Sequence, residues 1–296
     1  MPHLHHAALG SPPSMLLTLI LVFTALVYLR GWLSLRSNIL RRTSAWHACS
    51  FLLGLFLVWV AVASPVAALD HELLTIHMLQ HLLLMTLAPP LIWLAAPIAP
   101  LLHGLPRPTI DCLCLLRQSR VGQKLGVILG RPGFAWLAAC AALVGWHIPA
   151  FFALGMHSVA WHLFEHLTFL ATGLLFWWPV VQPSSSALRP DLSILLYLFF
   201  ATLPCDVLSG LLVFSDRVVY PMYFSSSHLL GLSPLADQQC AAALMWTCVT
   251  VVYFVAAAIL TMRLLSPPGL SSVALAHARS RGAGIAQGVS QGLEAL

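Results

Sequence analysis

The stretch Trp161 to Pro179, WHLFEHLTFLATGLLFWWP, carries His162, Glu165 and His166 inside an otherwise apolar run. On a helix, positions i, i+3 and i+4 share one face, so these side chains point the same way and could close on one ion. A second stretch, Thr75 to Pro89 (TIHMLQHLLLMTLAP), repeats the device with His77 and His81 at i and i+4. A histidine at a membrane interface can be only a hydrogen-bonded or snorkelling residue. Repeated ionisable groups at membrane depth are costly, however, and mark a functional site by default. Imidazole suits Zn, Cu, Fe and Ni, and histidines on facing helices are the usual way a bundle builds a metal site. His147, in the segment WHIPA, is placed to complete the set. Asp70 and Glu72 at the mouth of the second stretch, with Gln80, Asp206, Asp237, Gln238 and Gln239, offer carboxylates and amides that could bind the ion or hold an imidazole's other nitrogen, and Glu165 suits either role.

The same residues admit two other chemistries. His162-x-x-Glu165-His166 matches the inverted zinc-protease signature, so a metal-dependent membrane enzyme, a hydroxylase or a protease, is one alternative. A haem-binding membrane cytochrome is another, with one axial histidine from each stretch.

The elements that must position these residues are transmembrane helices. Residues are 59% hydrophobic and 8% charged, and the mean hydropathy is +0.89, which excludes an ordinary soluble domain. Seven apolar runs are long enough to span a bilayer. They are Met15 to Leu35, Ala45 to Leu69, Leu73 to Leu94 with Pro89 and Pro90 bending its inner end, Gly133 to Leu154, Trp161 to Val181, Leu192 to Phe214, and Gln239 to Leu265. The expected fold is an all-α bundle of seven transmembrane helices over residues 15–265, flanked by an external segment 1–14 and a flexible cytoplasmic tail 266–296. Of the 14 Lys and Arg residues, 13 fall in loops on one side of a seven-span chain and only Arg217 on the other. The positive-inside rule then puts the amino terminus outside and the carboxyl terminus in the cytoplasm.

With that orientation, 11 of the 14 histidines lie in outer loops or outer halves of spans, and only His47, His103 and His277 lie inside. Scattered packing roles give no reason for such a bias. The net charge of +5 resides in short loops and forms no basic stripe with interleaved aromatics, so no nucleic-acid partner is expected. Seven cysteines without regular spacing, and no C-x-x-C pair, exclude a disulfide framework. Cys112 and Cys114 in the basic loop, Cys205 beside Asp206, and the run His3, His5 and His6 are weaker candidates for soft-ion contact.

Several motifs in succession carry a family likeness: HMLQHLLLMTLAPPLIWLAAP (His77 to Pro97), WHIPAFF (Trp146 to Phe152), HLFEHLTFLATGLLFWWPV (His162 to Val180), YPMY (Tyr220 to Tyr223) and ADQQCAAALMW (Ala236 to Trp246). In order and spacing they resemble the polytopic CtaG family of cytochrome c oxidase assembly factors. The resemblance implies a multi-pass protein of the bacterial plasma membrane that helps mature a haem-copper oxidase. It would act by handling copper for the catalytic subunit, with zinc the other metal such ligands tolerate, and as a non-enzyme. The residues it implies are His77, His81, His147, His162, Glu165, His166, Asp237 and Gln238. Leu203 to Pro221 fits the pattern only loosely, and the first two spans carry little of it.

Overall fold

The computed structural model describes residues 12–36, 44–181, 192–225 and 231–265; the expected tail 266–296, most of the external segment 1–14, and His3, His5, His6, His228 and His277 lie outside the described residues. Among the described residues the fold is entirely helical. The helices are α1 (Pro12–Arg36), α2 (Ala45–Val62), α3 (Leu74–Leu82), α4 (Ala88–Leu94), α5 (Ile98–Gly104), α6 (Arg107–Gln118), α7 (Arg120–Leu129), α8 (Pro132–His147), α9 (Pro149–His157), α10 (Val159–Val181), α11 (Leu192–Val213) and α12 (Pro234–Leu265). Six described spans are long and apolar enough to cross a membrane, and seven if the pair α7 and α8, bent by 74°, counts as one. The protein is therefore a multi-pass membrane protein.

Two expectations from the sequence are corrected. The fourth span, expected as a continuous helix from Gly133 to Leu154, breaks at Ile148, whose backbone is extended (φ −64, ψ 126). Pro149 is the cause, because the ring of a proline disfavours helical geometry in the residue before it. α8 alone has 16 residues, or about 24 Å, short of a hydrocarbon core of roughly 30 Å. The last span begins at Pro234, not at Gln239, and its 32 residues carry Asp237 and Gln238 inside the helix. Within the third span a π turn at Leu83–Leu87 leads into Pro89 and Pro90 in the first turn of α4.

The main core gathers around α3 and its continuation through the π turn into α4, with α10, α8, α11 and α12 packed about it. α1 lies at the periphery on α5 and α2, where Tyr28 stacks on Phe51 with ring centroids 3.9 Å apart. Large apolar side chains such as Leu19, Phe23, Phe199 and Phe254 face outward, as lipid contact requires. α6 and α7 bury no residue, and Cys112 and Cys114 on α6 are exposed.

Candidate metal centre

Two features fix the helix that carries His77 and His81. Its first turn has free amide groups, and the Asp237 carboxylate from α12 takes them: the N–H groups of Leu74 and Thr75 donate to its Oδ2 (2.7 Å) and Oδ1 (3.2 Å), and the Thr75 hydroxyl donates to Oδ1 (2.6 Å). A carboxylate there satisfies orphan donors and also complements the helix dipole. At the other end, Pro89 has no N–H for the carbonyl of Met85, four residues back. The Trp177 indole N–H on α10 donates to that carbonyl instead, at 3.1 Å. α10 can approach so closely only because residue 173 is glycine; a Cβ there would lie 2.8 Å from both Cα and O of Met85. The π turn is thereby clamped to the helix that supplies Glu165 and His166, one turn beyond His81.

The result is a group of three ligand atoms from two helices. His81 Nε2 lies 3.2 Å and His77 Nε2 3.6 Å from Glu165 Oε1. One donor atom from each residue falls within 4.8 Å of the other two, and His77 and Glu165 are 0% exposed. None of these approaches meets hydrogen-bond geometry: both nitrogens of His77, both of His81 and both oxygens of Glu165 are buried without a hydrogen-bond partner. Burying a carboxylate unpaired is strongly unfavourable, and a cation shared with two imidazoles is one arrangement that removes the cost. The residues fit a metal ion in number, type and spacing.

A second group sits beside it. His162 Nε2 and His71 Nε2 lie 3.5 and 3.8 Å from the two oxygens of Asp70, and the His71 side chain is 37% exposed. The two groups adjoin, since the rings of His77 and His162 stack with centroids 5.5 Å apart. His166 is buried with its Nε2 unpartnered; its ring lies 4.3 Å from that of His162 and 6.3 Å from that of His81. His147 is buried on the other side of His81, the ring centroids being 5.9 Å apart.

The expected site residues thus divide. His77, His81 and Glu165 converge, with His162, His166 and His147 around them. Asp237 is occupied as the cap of α3. Gln238 ties the segment after α11 to α12, its Oε1 accepting from the Val219 N–H (2.7 Å) and its amide donating to the Arg217 carbonyl (3.1 Å). The Gln80 amide donates to the Ala67 carbonyl (3.2 Å) and to Asp70 Oδ2 (3.4 Å), so it steadies the second group. Asp206, half-buried on α11, belongs to neither group of ligand atoms.

Asp70, whose carboxylate the sequence already offers as a possible ligand or support at the mouth of the third span, stands in the second group with His71. Other residues at the site escaped the sequence reading. Gly155 on α9 leaves room for Glu165: a Cβ there would be 2.7 Å from Oε2. Tyr220 and Tyr223 close the site from above, donating to the backbone carbonyls of His147 (3.0 Å) and Asp70 (2.7 Å). Burial, with nearby carboxylates adding to it, pushes the Tyr223 phenol well above its usual range and keeps it a donor. Phe152 fills the space between, its ring 4.9 Å from His77 and 4.2 Å from Tyr220. The motif YPMY was the available signal for the two tyrosines; a glycine seven residues before His162 offered none.

No curated protein and no solved structure matches the chain. A family model described as cytochrome c oxidase caa3 assembly factor (Caa3_CtaG) matches residues 26–266, a stretch that takes in every residue of both ligand groups and the helices that hold them. With the match covering most of the chain, the protein belongs to the family of cytochrome c oxidase caa3 assembly factors.

Proposed function

We propose that this protein binds a copper ion through His77, His81 and Glu165 and assists its delivery to the catalytic subunit of a cytochrome c oxidase, acting as an assembly factor and not as an enzyme. The carrying observation is the convergence of two imidazoles and a carboxylate, buried and without hydrogen-bond partners, from helices remote in sequence. Family membership supplies the copper-dependent target. The ligand set by itself tolerates zinc as well. The asymmetry of basic residues puts this end of the bundle near the outer face of a bacterial plasma membrane, where His71 and Asp70 receive an ion before it reaches the buried group.

The alternatives draw less support. In an inverted zinc-protease motif the two histidines bind the metal together, whereas here Glu165 pairs with His77 and His81 of another helix and His162 faces Asp70. The cavity lined by His81 and His147 is about 30 Å³, room for an ion or one to two waters and far too small for a porphyrin.

The test is metal content. Wild type and a His77→Ala/His81→Ala variant, purified in detergent and loaded with copper, are dialysed against a weak chelator and compared by elemental analysis. The variant is expected to lose its copper, and equal content sinks the proposal.

A further inference from the structure

His147 is held by a contact that the copper reading above does not use. Its Nδ1 lies 2.7 Å from the carbonyl oxygen of Leu143, which can only accept, so Nδ1 carries the proton and donates. In the neutral ring Nε2 then presents a lone pair, and that lone pair faces Met78 Sδ at 3.2 Å. A thioether is at best a weak acceptor, so two electron-rich atoms confront one another inside the bundle. A charged imidazolium would resolve the conflict only with an anion at hand, and among the described residues His147 takes part in no ion pair. Met78 is 0% and His147 4% exposed, so water does not separate them.

A cation between them does resolve it. Metal bonds of about 2.1 Å to nitrogen and about 2.3 Å to sulfur close over a 3.2 Å gap at roughly 95°, with the ion set to one side of the line between the two atoms. Next to His147 lies the cavity of about 30 Å³, whose walls include Met85, Cys140, Cys205 and Met245 as well as His81. Four sulfur side chains thus line this cavity with His81 and His147, and no carboxylate is among its walls. Thioether and imidazole together favour a soft monovalent ion, whereas two imidazoles and a carboxylate suit a divalent one.

We propose that Met78 Sδ and His147 Nε2 form a separate soft-metal station that takes Cu(I), adjoining the carboxylate-bearing group of His77, His81 and Glu165. The inference rests on the copper-handling reading and adds to it a second site of different softness. Met78 and His77 are neighbours in sequence on one helix, so a single rigid element serves both stations.

The experiment uses the full-length protein in detergent under anaerobic conditions. Cu(I) affinity is measured by competition with a chromophoric Cu(I) chelator, Zn(II) affinity in parallel, and the Cu(I)-loaded protein is examined by X-ray absorption. The wild type is expected to show a sulfur scatterer near ~2.3 Å. Met78→Leu, a substitution close in volume and usually tolerated, is expected to lose that scatterer. It should weaken Cu(I) about tenfold or more, since even outer contacts of metal ligands cost about 10–100-fold, with Zn(II) unchanged. Glu165→Gln is expected to weaken Zn(II) and leave the sulfur signal in place. Nitrogen and oxygen scatterers alone in the wild type overturn the inference, as does Cu(I) affinity unchanged in Met78→Leu or a parallel loss of both metals there. Metal lost in Glu165→Gln with Met78→Leu behaving as wild type overturns the soft station while leaving the copper-binding reading intact.

Discussion

Two groups of the same ligand chemistry lie side by side in this protein and differ in their surroundings. His77, His81 and Glu165 are buried from every direction and touch only one another through their polar atoms, whereas Asp70, His71 and His162 open toward the surface through a His71 side chain that is 37% exposed. Asp70 also has the Gln80 amide and the fixed backbone around it. The difference teaches how identical residue types divide labour. In the dry interior a carboxylate and two imidazoles interact strongly with an ion because nothing competes, while at the rim water and screening weaken the same contacts. On the proposed reading the inner group retains an ion and the outer group admits it.

Four substitutions break or sharpen that contrast. Glu165→Ala, which removes the only inner carboxylate and leaves the outer group untouched, is expected to weaken metal retention by about 100-fold or more, judged by chelator competition. Retention at wild-type strength would move the holding site to the rim. Gly173→Ala drives a methyl into the backbone of Met85, where neither partner is a flexible side chain. A loss of about 1–3 kcal/mol is expected, read as a lower melting temperature together with a metal defect confined to the inner group. Gly155→Ala presses instead on Oε2, the far end of the Glu165 side chain. Affinity should fall about tenfold with the melting temperature unchanged, as expected where a carboxylate is displaced without disturbing packing. The smallest effect belongs to His71→Ala: equilibrium affinity changes by less than about threefold, in keeping with a contact exposed to water, while the rate of loading slows. A large equilibrium loss there would erase the distinction between the groups.

The spacing of His77 with His81, and of His162 with Glu165 and His166, was sufficient to place each set on one helix face, and the apolar runs were sufficient to set the helices. Both are local properties that follow from the 3.6-residue repeat. Asp237 was a different matter. The sequence reading counted it among possible ligands or supports, yet its carboxylate caps a helix whose first residue is more than 160 positions away, a pairing no local pattern encodes. The sequence allowed Met78 as a thioether ligand while favouring a packing role for it, and only His147 facing it at 3.2 Å separates the two. The break at Ile148 could have been read from Pro149, but the apolar run continues across it and hydropathy alone favours a single span.

The chain by itself determined that this is a helical membrane protein whose ionisable side chains are few, clustered and rich in histidine, because membrane depth penalises every such group that lacks a purpose. Which histidines meet a carboxylate, which carboxylate caps a helix and which sulfur faces an imidazole were decided only by packing. Those pairings depend on how closely helices approach, on glycines at 155 and 173 and on one indole that satisfies a carbonyl freed by proline, and such distances arise between segments that the linear order keeps apart.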